Sequence, residues 1–112
     1  MTAVTLSLDH CGMMVRDLDA GAERWRKLGF QLAPRSPQMG AVPGRKGMEP
    51  WATANHCVIL RRGYMELIGI HDPGRFNPWQ ARMDRFEGIH IAAFRCADAN
   101  HAYAALSESV EG

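Results

Sequence analysis

Apolar residues alternate loosely with polar ones from Leu6 to Val15, which predicts a first strand. The period then changes. Leu18, Ala22, Trp25 and Leu28 fall at helical spacing, while Arg24, Arg26 and Lys27 lie off that stripe. Asp17 is placed to cap this helix, and Asp19 and Glu23 suit its positive N-terminal end. Gly29 supplies a stop, and Phe30 can fold back on the last turn. The pattern therefore predicts a helix over Leu18 to Leu28 and a short strand from Phe30 to Ala33, ended by Pro34.

Arg35 to Ala52 has poor periodicity and contains Pro37, Gly40, Pro43, Gly44, Gly47 and Pro50, so it reads as a long loop. Two strands follow, Asn55 to Arg61 and Tyr64 to Ile70, with a tight hairpin turn at Arg62-Gly63. His71 to Pro78 is a turn-rich crossing, and Trp79 to Phe86 reads as a short helix. Ile89 to Arg95 forms another strand. Asp98 then caps a helix to about Glu108, with Ala102, Leu106 and Val110 on one side.

The element order is strand, helix, three strands, a connection, then strand and helix. The same unit begins twice. His10 precedes Asp17 and a helix; His90 precedes Asp98 and a helix. The fold class is α+β, a single domain over 1–112. A first βαβββ module spans 6–72, a connection 73–88, and the start of a second module 89–112.

Composition narrows the partners. The chain has 112 residues, a 46% hydrophobic fraction and a formal charge of +1. That charge gives no electrostatic case for nucleic acid or an acidic membrane surface. No apolar stretch is long enough to span a bilayer. Met1 to Ser7 lacks the basic start and apolar run of a secretory leader. Cys11, Cys57 and Cys96 are odd in number and form no Cys-x-x-Cys, so they read as reduced thiols of a cytoplasmic protein.

Three strand-like segments each carry one residue able to ligate a metal: His10, Glu66 and His90. Glu66 is the least easily explained as packing. Tyr64, Ile68 and Ile70 share its strand face, and Met65, Leu67 and Gly69 line the other, so its carboxylate needs a metal, a cation or a hydrogen-bond partner. His10 reads equally as a ligand or as a histidine hydrogen-bonded within a sheet, and His90 suits a pocket floor or a core. The side on which His56 lies depends on the turn. A two-residue turn at Arg62-Gly63 turns His56 away from Glu66; a three-residue turn brings it alongside. His56 is kept as a substrate contact, with Asn55 as the alternative, and Trp51 as a loop residue able to close over a ligand.

Taken together, Leu8-Asp9-His10, Val15-Arg16-Asp17-Leu18-Asp19-Ala20, Leu28-Gly29-Phe30, Ala54-Asn55-His56 and Tyr64-Met65-Glu66-Leu67-Ile68-Gly69 resemble a glyoxalase-like domain. That family lies within the vicinal oxygen chelate (glyoxalase, bleomycin resistance and extradiol dioxygenase) superfamily. The resemblance implies paired βαβββ modules of the glyoxalase/dihydroxybiphenyl dioxygenase type, whose curved sheets enclose a small-molecule site. It implies His10 and Glu66 as metal ligands from the first and fourth strands, and His90 as the first-strand ligand of module two. The metal would be divalent: Zn, Ni, Mn or Fe. Glu66 would also serve as the catalytic base of a lyase, isomerase or dioxygenase acting on a small oxygenated metabolite. The same fold also serves metal-free proteins that bind or sequester small molecules. The second module stops after its βα portion. That departure favours a fragment of a longer protein, or two chains joining their first modules; exposed apolar sheet surface points to a homodimer.

Overall fold

The computed structural model describes residues 4–109. Its elements are β1 (Ser7–Asp17), α1 (Leu18–Lys27), β2 (Ser36–Ala41), β3 (Met48–Ile59), β4 (Tyr64–Ile70), α2 (Gln80–Arg85), β5 (Gly88–Arg95) and α3 (Ala99–Ser109). The five strands form one mixed sheet in the order β2-β3-β4-β1-β5. β1 lies parallel to β4 and antiparallel to β5, while β3 runs antiparallel to both β2 and β4. This is an α+β fold whose first five elements follow the strand-helix-three-strand order expected from the sequence.

Both faces of the central strands are covered, which accounts for the apolar residues on both sides of β4. On one face α1 buries Leu18 and Ala22 against Ala54 and Leu67, with Met13, Val15, Trp25 and Leu32 around them. On the other, Met83 of α2 packs with Met14 and Ile68, flanked by Ile70, Trp79 and Ile91. The α1 ends follow their sequence signals. Asp17 Oδ1 accepts from the Ala20 amide at 3.1 Å. Gly29 adopts φ +98°, and Phe30 returns edge-on to Trp25 with ring centroids 5.1 Å apart. Asp98 Oδ1 accepts from the Asn100 and His101 amides and so starts α3; Val110, expected on its apolar side, lies outside the described residues.

Three expectations are corrected. The segment Arg35 to Ala52 is not a loop: it contains β2 and the first part of β3. Proline and glycine there read as breakers, but β2 is an edge strand, where a missing N–H leaves no ladder partner unsatisfied. Phe30 to Ala33 is not a strand; Leu32 makes a single bridge to Val58. The β3–β4 connection is not the two residues Arg62-Gly63. Ile59 pairs with Tyr64, so Leu60, Arg61, Arg62 and Gly63 all lie in the turn. Gly63 has φ +71°, and a side chain there would run into the Asp9 carbonyl of β1.

Candidate functional site

The β3–β4 register fixes which residues accompany Glu66. Cys57 pairs with Glu66, Asn55 with Ile68, and His56 with Leu67. Side chains alternate along strands, so Asn55 and Cys57 share the Glu66 face, and His56 joins Leu67 beneath α1. The four-residue turn keeps the parity of a two-residue one. On β1, Gly12 pairs with Glu66 and His10 with Tyr64, which brings His10 to the same face. The candidate site is thus an open patch of His10, Gly12, Asn55, Cys57, Tyr64 and Glu66 at the centre of the sheet.

Glu66 is half-buried, and its Oε2 accepts from Asn55 Nδ2 at 2.7 Å. This supplies the partner that a carboxylate on an apolar face requires. The Cys57 thiol is pushed up from its ordinary value, first by burial and then by the Glu66 charge across the ladder. It therefore keeps its proton at neutral pH. Tyr64 is also raised, chiefly by burial and then by the Asp9 and Glu66 carboxylates, so its hydroxyl keeps its proton. The Tyr64 ring stacks on the His10 imidazole at 4.5 Å, with the planes within 9°. His10 Nδ1 donates to Asp9 Oδ2 at 2.7 Å. That bond, followed by the contact with Arg95, holds the Asp9 carboxyl below its ordinary range.

The other expected residues lie elsewhere. His56 is 4% exposed. Its Nδ1 donates to the Ala33 carbonyl at 2.9 Å, and its Nε2 accepts from Arg35 Nε at 3.2 Å. Arg35 in turn bonds Asp19 and lowers the Asp19 carboxyl. Both His56 nitrogens are committed, so this histidine ties β3 to α1 instead of reaching a ligand beside Glu66. Trp51 is a strand residue, not a loop residue. Its indole lies where a Gly40 side chain would be, donates to the Ala41 carbonyl at 3.1 Å and meets Trp79 edge-on at 6.4 Å.

His90 is drawn away by a bulge. Gly12 pairs with Ile91 and Met13 with Ile89, so His90 is the extra residue of β5. Its ring stacks on Phe86 at 4.0 Å, and Nε2 donates to the Phe86 carbonyl at 2.9 Å. Among the described residues, no three His, Cys, Asp or Glu side chains are grouped to hold a metal ion. His10, Cys57 and Glu66 share one face but are not grouped as a ligand set, so the residues as placed do not fit a metal centre.

Sequence reasoning missed the parts played by Asp9 and Arg95. Asp9 is the residue beside His10, but only the β1–β5 pairing could have shown that Arg95 reaches it. Two grooves lie away from the patch. One of about 440 Å³ runs between Val42, Arg45, Asp72, Arg75 and Phe76, and one of about 520 Å³ runs between α1 and β5 over Met13, Val15 and Trp25.

Comparison with known proteins places this geometry. The family model described as a glyoxalase-like domain matches residues 8–111. Among solved structures, a hypothetical protein from Bacillus halodurans is 18% identical with a TM-score of 0.64, over 95% of this chain and 70% of that one. Methylmalonyl-CoA epimerase from Mycobacterium tuberculosis is 22% identical with a TM-score of 0.60, over 97% and 69%. The Streptomyces coelicolor methylmalonyl-CoA epimerase, solved in complex with 2-nitronate-propionyl-CoA, is 21% identical with a TM-score of 0.59, over 96% and 71%. No curated protein matches the sequence. At these identities the structures attest the fold alone, and the family model carries the assignment: the chain belongs to the glyoxalase-like domain family, within the vicinal oxygen chelate superfamily.

Proposed function

We propose that this protein binds and acts on a small oxygenated metabolite over the sheet face that carries Glu66. The observation that supports this most is the Glu66 carboxylate, half-buried among apolar neighbours with one oxygen fixed by Asn55 at 2.7 Å. An oriented carboxylate beside an imidazole is suited to general acid–base work. In this reading Glu66 takes a proton from the carbon next to a substrate carbonyl, and Asn55 holds the carboxylate in place. His10 offers the lone pair of its outer nitrogen to the migrating proton. The epimerase complex with a propionyl-CoA analogue makes an acyl thioester one reasonable substrate class.

A divalent metal (Zn, Ni, Mn or Fe) enters this reading only if His90 leaves the Phe86 carbonyl, and no step here is routed through one. The second reading is a metal-free protein that binds or sequesters a small molecule, favoured by the absence of a three-donor group among the described residues. Elemental analysis of the purified protein, with His10→Ala as comparison, separates the two. A stoichiometric metal lost in the variant supports the metal-dependent form. Metal-free protein whose melting temperature rises with small-molecule ligands supports the second.

The reading includes self-association and a reducing compartment. Leu8, Ile89 and Phe94 are exposed on β1 and β5, an apolar surface that a second copy would cover. Cys11, Cys57 and Cys96 are free thiols, as a cytoplasmic location would leave them. Sedimentation at micromolar concentration should show a homodimer; a monomer would remove that part of the proposal.

A further inference from the structure

Asp9 and His10 are successive residues of a strand, and successive strand side chains ordinarily point to opposite faces. Here they touch. The cause is the register of β1 against β5: Leu8 pairs with Phe94 and His10 with Ala93, so Asp9 is an extra residue at a bulge. The bulge lets the Asp9 carboxylate swing to the His10 side, where Oδ2 accepts from Nδ1 at 2.7 Å. From β5, Arg95 holds the other oxygen: Oδ1 accepts from Nη2 at 2.6 Å and from Nε at 3.2 Å. From β4, Tyr64 lies flat on the imidazole. Gly63 packs so closely on the Asp9 carbonyl that no side chain fits between them. The bulge is therefore held by both neighbouring strands.

This arrangement decides the state of the imidazole. An ionised carboxylate has no proton to donate, so the shared proton sits on His10 Nδ1 and the lone pair on Nε2. No described residue forms a hydrogen bond to Nε2. We propose that Asp9, braced by Arg95, is a positioning residue that fixes His10 as the Nδ1–H tautomer and presents its Nε2 lone pair on the Glu66 face. The proposal rests on reading that face as the ligand site. It assigns His10 the task of accepting a proton through Nε2, with the ring orientation set before any ligand arrives.

The test uses long-range proton–nitrogen NMR correlations of the imidazoles in the free, ligand-free protein at about pH 8, above the ordinary imidazole range. His10→Gln identifies the signal among the five histidines. The expected result is a protonated Nδ1 and a bare Nε2 for His10. Asp9→Ala should convert the signal to a mixture dominated by Nε2–H. Asp9→Asn, whose amide oxygen accepts the same bond, should restore the Nδ1–H pattern; a role in folding alone would predict no such rescue. An Nε2–H signal in the unaltered protein overturns the proposal, as does an unchanged signal in Asp9→Ala. If Asp9→Ala does not fold, the unaltered protein's spectrum still decides. No ligand is needed, so failure of every ligand to bind would sink the site reading and leave the tautomer result standing.

Discussion

The chain twice builds a strand followed by an aspartate-capped helix, and the two copies end in different surroundings. α1 lies against the sheet and buries Leu18 and Ala22 completely, backed by Leu67 of β4 and Ala54 of β3. α3 buries Ala102 and leaves Tyr103 76% and Leu106 45% exposed. β1 runs between two strands and holds Met14 fully buried, whereas β5 is an edge strand with Ile89 51% and Phe94 56% exposed. Similar local signals thus give similar elements, but burial comes from what the following strands provide. Behind α1 stand β3 and β4; among the described residues no strand follows α3. The face bearing Glu66 is built from β1, β3 and β4, and His90 on β5 turns to Phe86.

Core truncation should separate the halves most sharply. Leu67→Ala removes a side chain that both α1 and β3 pack on, and should cost about 2–5 kcal/mol by denaturant titration. Leu106→Ala on α3 should stay within about 0.5 kcal/mol. Equal losses would mean that α3 is packed as firmly as α1. Gly63→Val comes next. It forces a branched residue to φ +71° and against the Asp9 carbonyl, at a cost of about 1–3 kcal/mol or more in the same titration. It should also disturb the His10 signals, because the bulge is built on that contact.

The two caps form a closer pair. Asp17→Ala should lower global stability by about 1 kcal/mol, because α1 is part of the cooperative core. Asp98→Ala should instead speed amide exchange along α3 and leave the global transition nearly in place. The smallest effect concerns pH. Asp19 is held below its ordinary carboxyl value by Arg35, and Asp9 by His10 and Arg95. A depressed folded value means that the stabilisation is complete above the unfolded carboxyl range. It is lost as pH falls through the folded value. Asp19→Asn should therefore make the decline in stability below about pH 4 shallower and leave the neutral-pH difference small.

Much of this architecture was legible because its signals are local. Asp17, Gly29 and Asp98 mark helix ends by chemistry that acts within one turn, and the helical stripe of α1 is plain. Glu66 stood out because a carboxylate on a strand with two apolar faces needs a partner. The partner, Asn55, and the exclusion of His56 depended on a register that the turn sequence left open. β2 was hidden by Pro37 and Gly40, residues that an edge strand tolerates and a central one does not. The bulges that turn Asp9 toward His10 and carry His90 to Phe86 arise from β1–β5 pairing across most of the chain, and no local pattern records them.

The most direct test is an amide NMR titration of the unaltered protein with 2-oxo acids, 2-hydroxy acids and acyl-CoA thioesters, with and without added Zn²⁺ or Mn²⁺. The account predicts that a ligand shifts the amides around His10, Asn55 and Glu66, and that Glu66→Gln weakens its binding while the fold stays intact. Shifts confined to the groove of Arg45, Arg75 and Phe76, or binding untouched by Glu66→Gln, would contradict it.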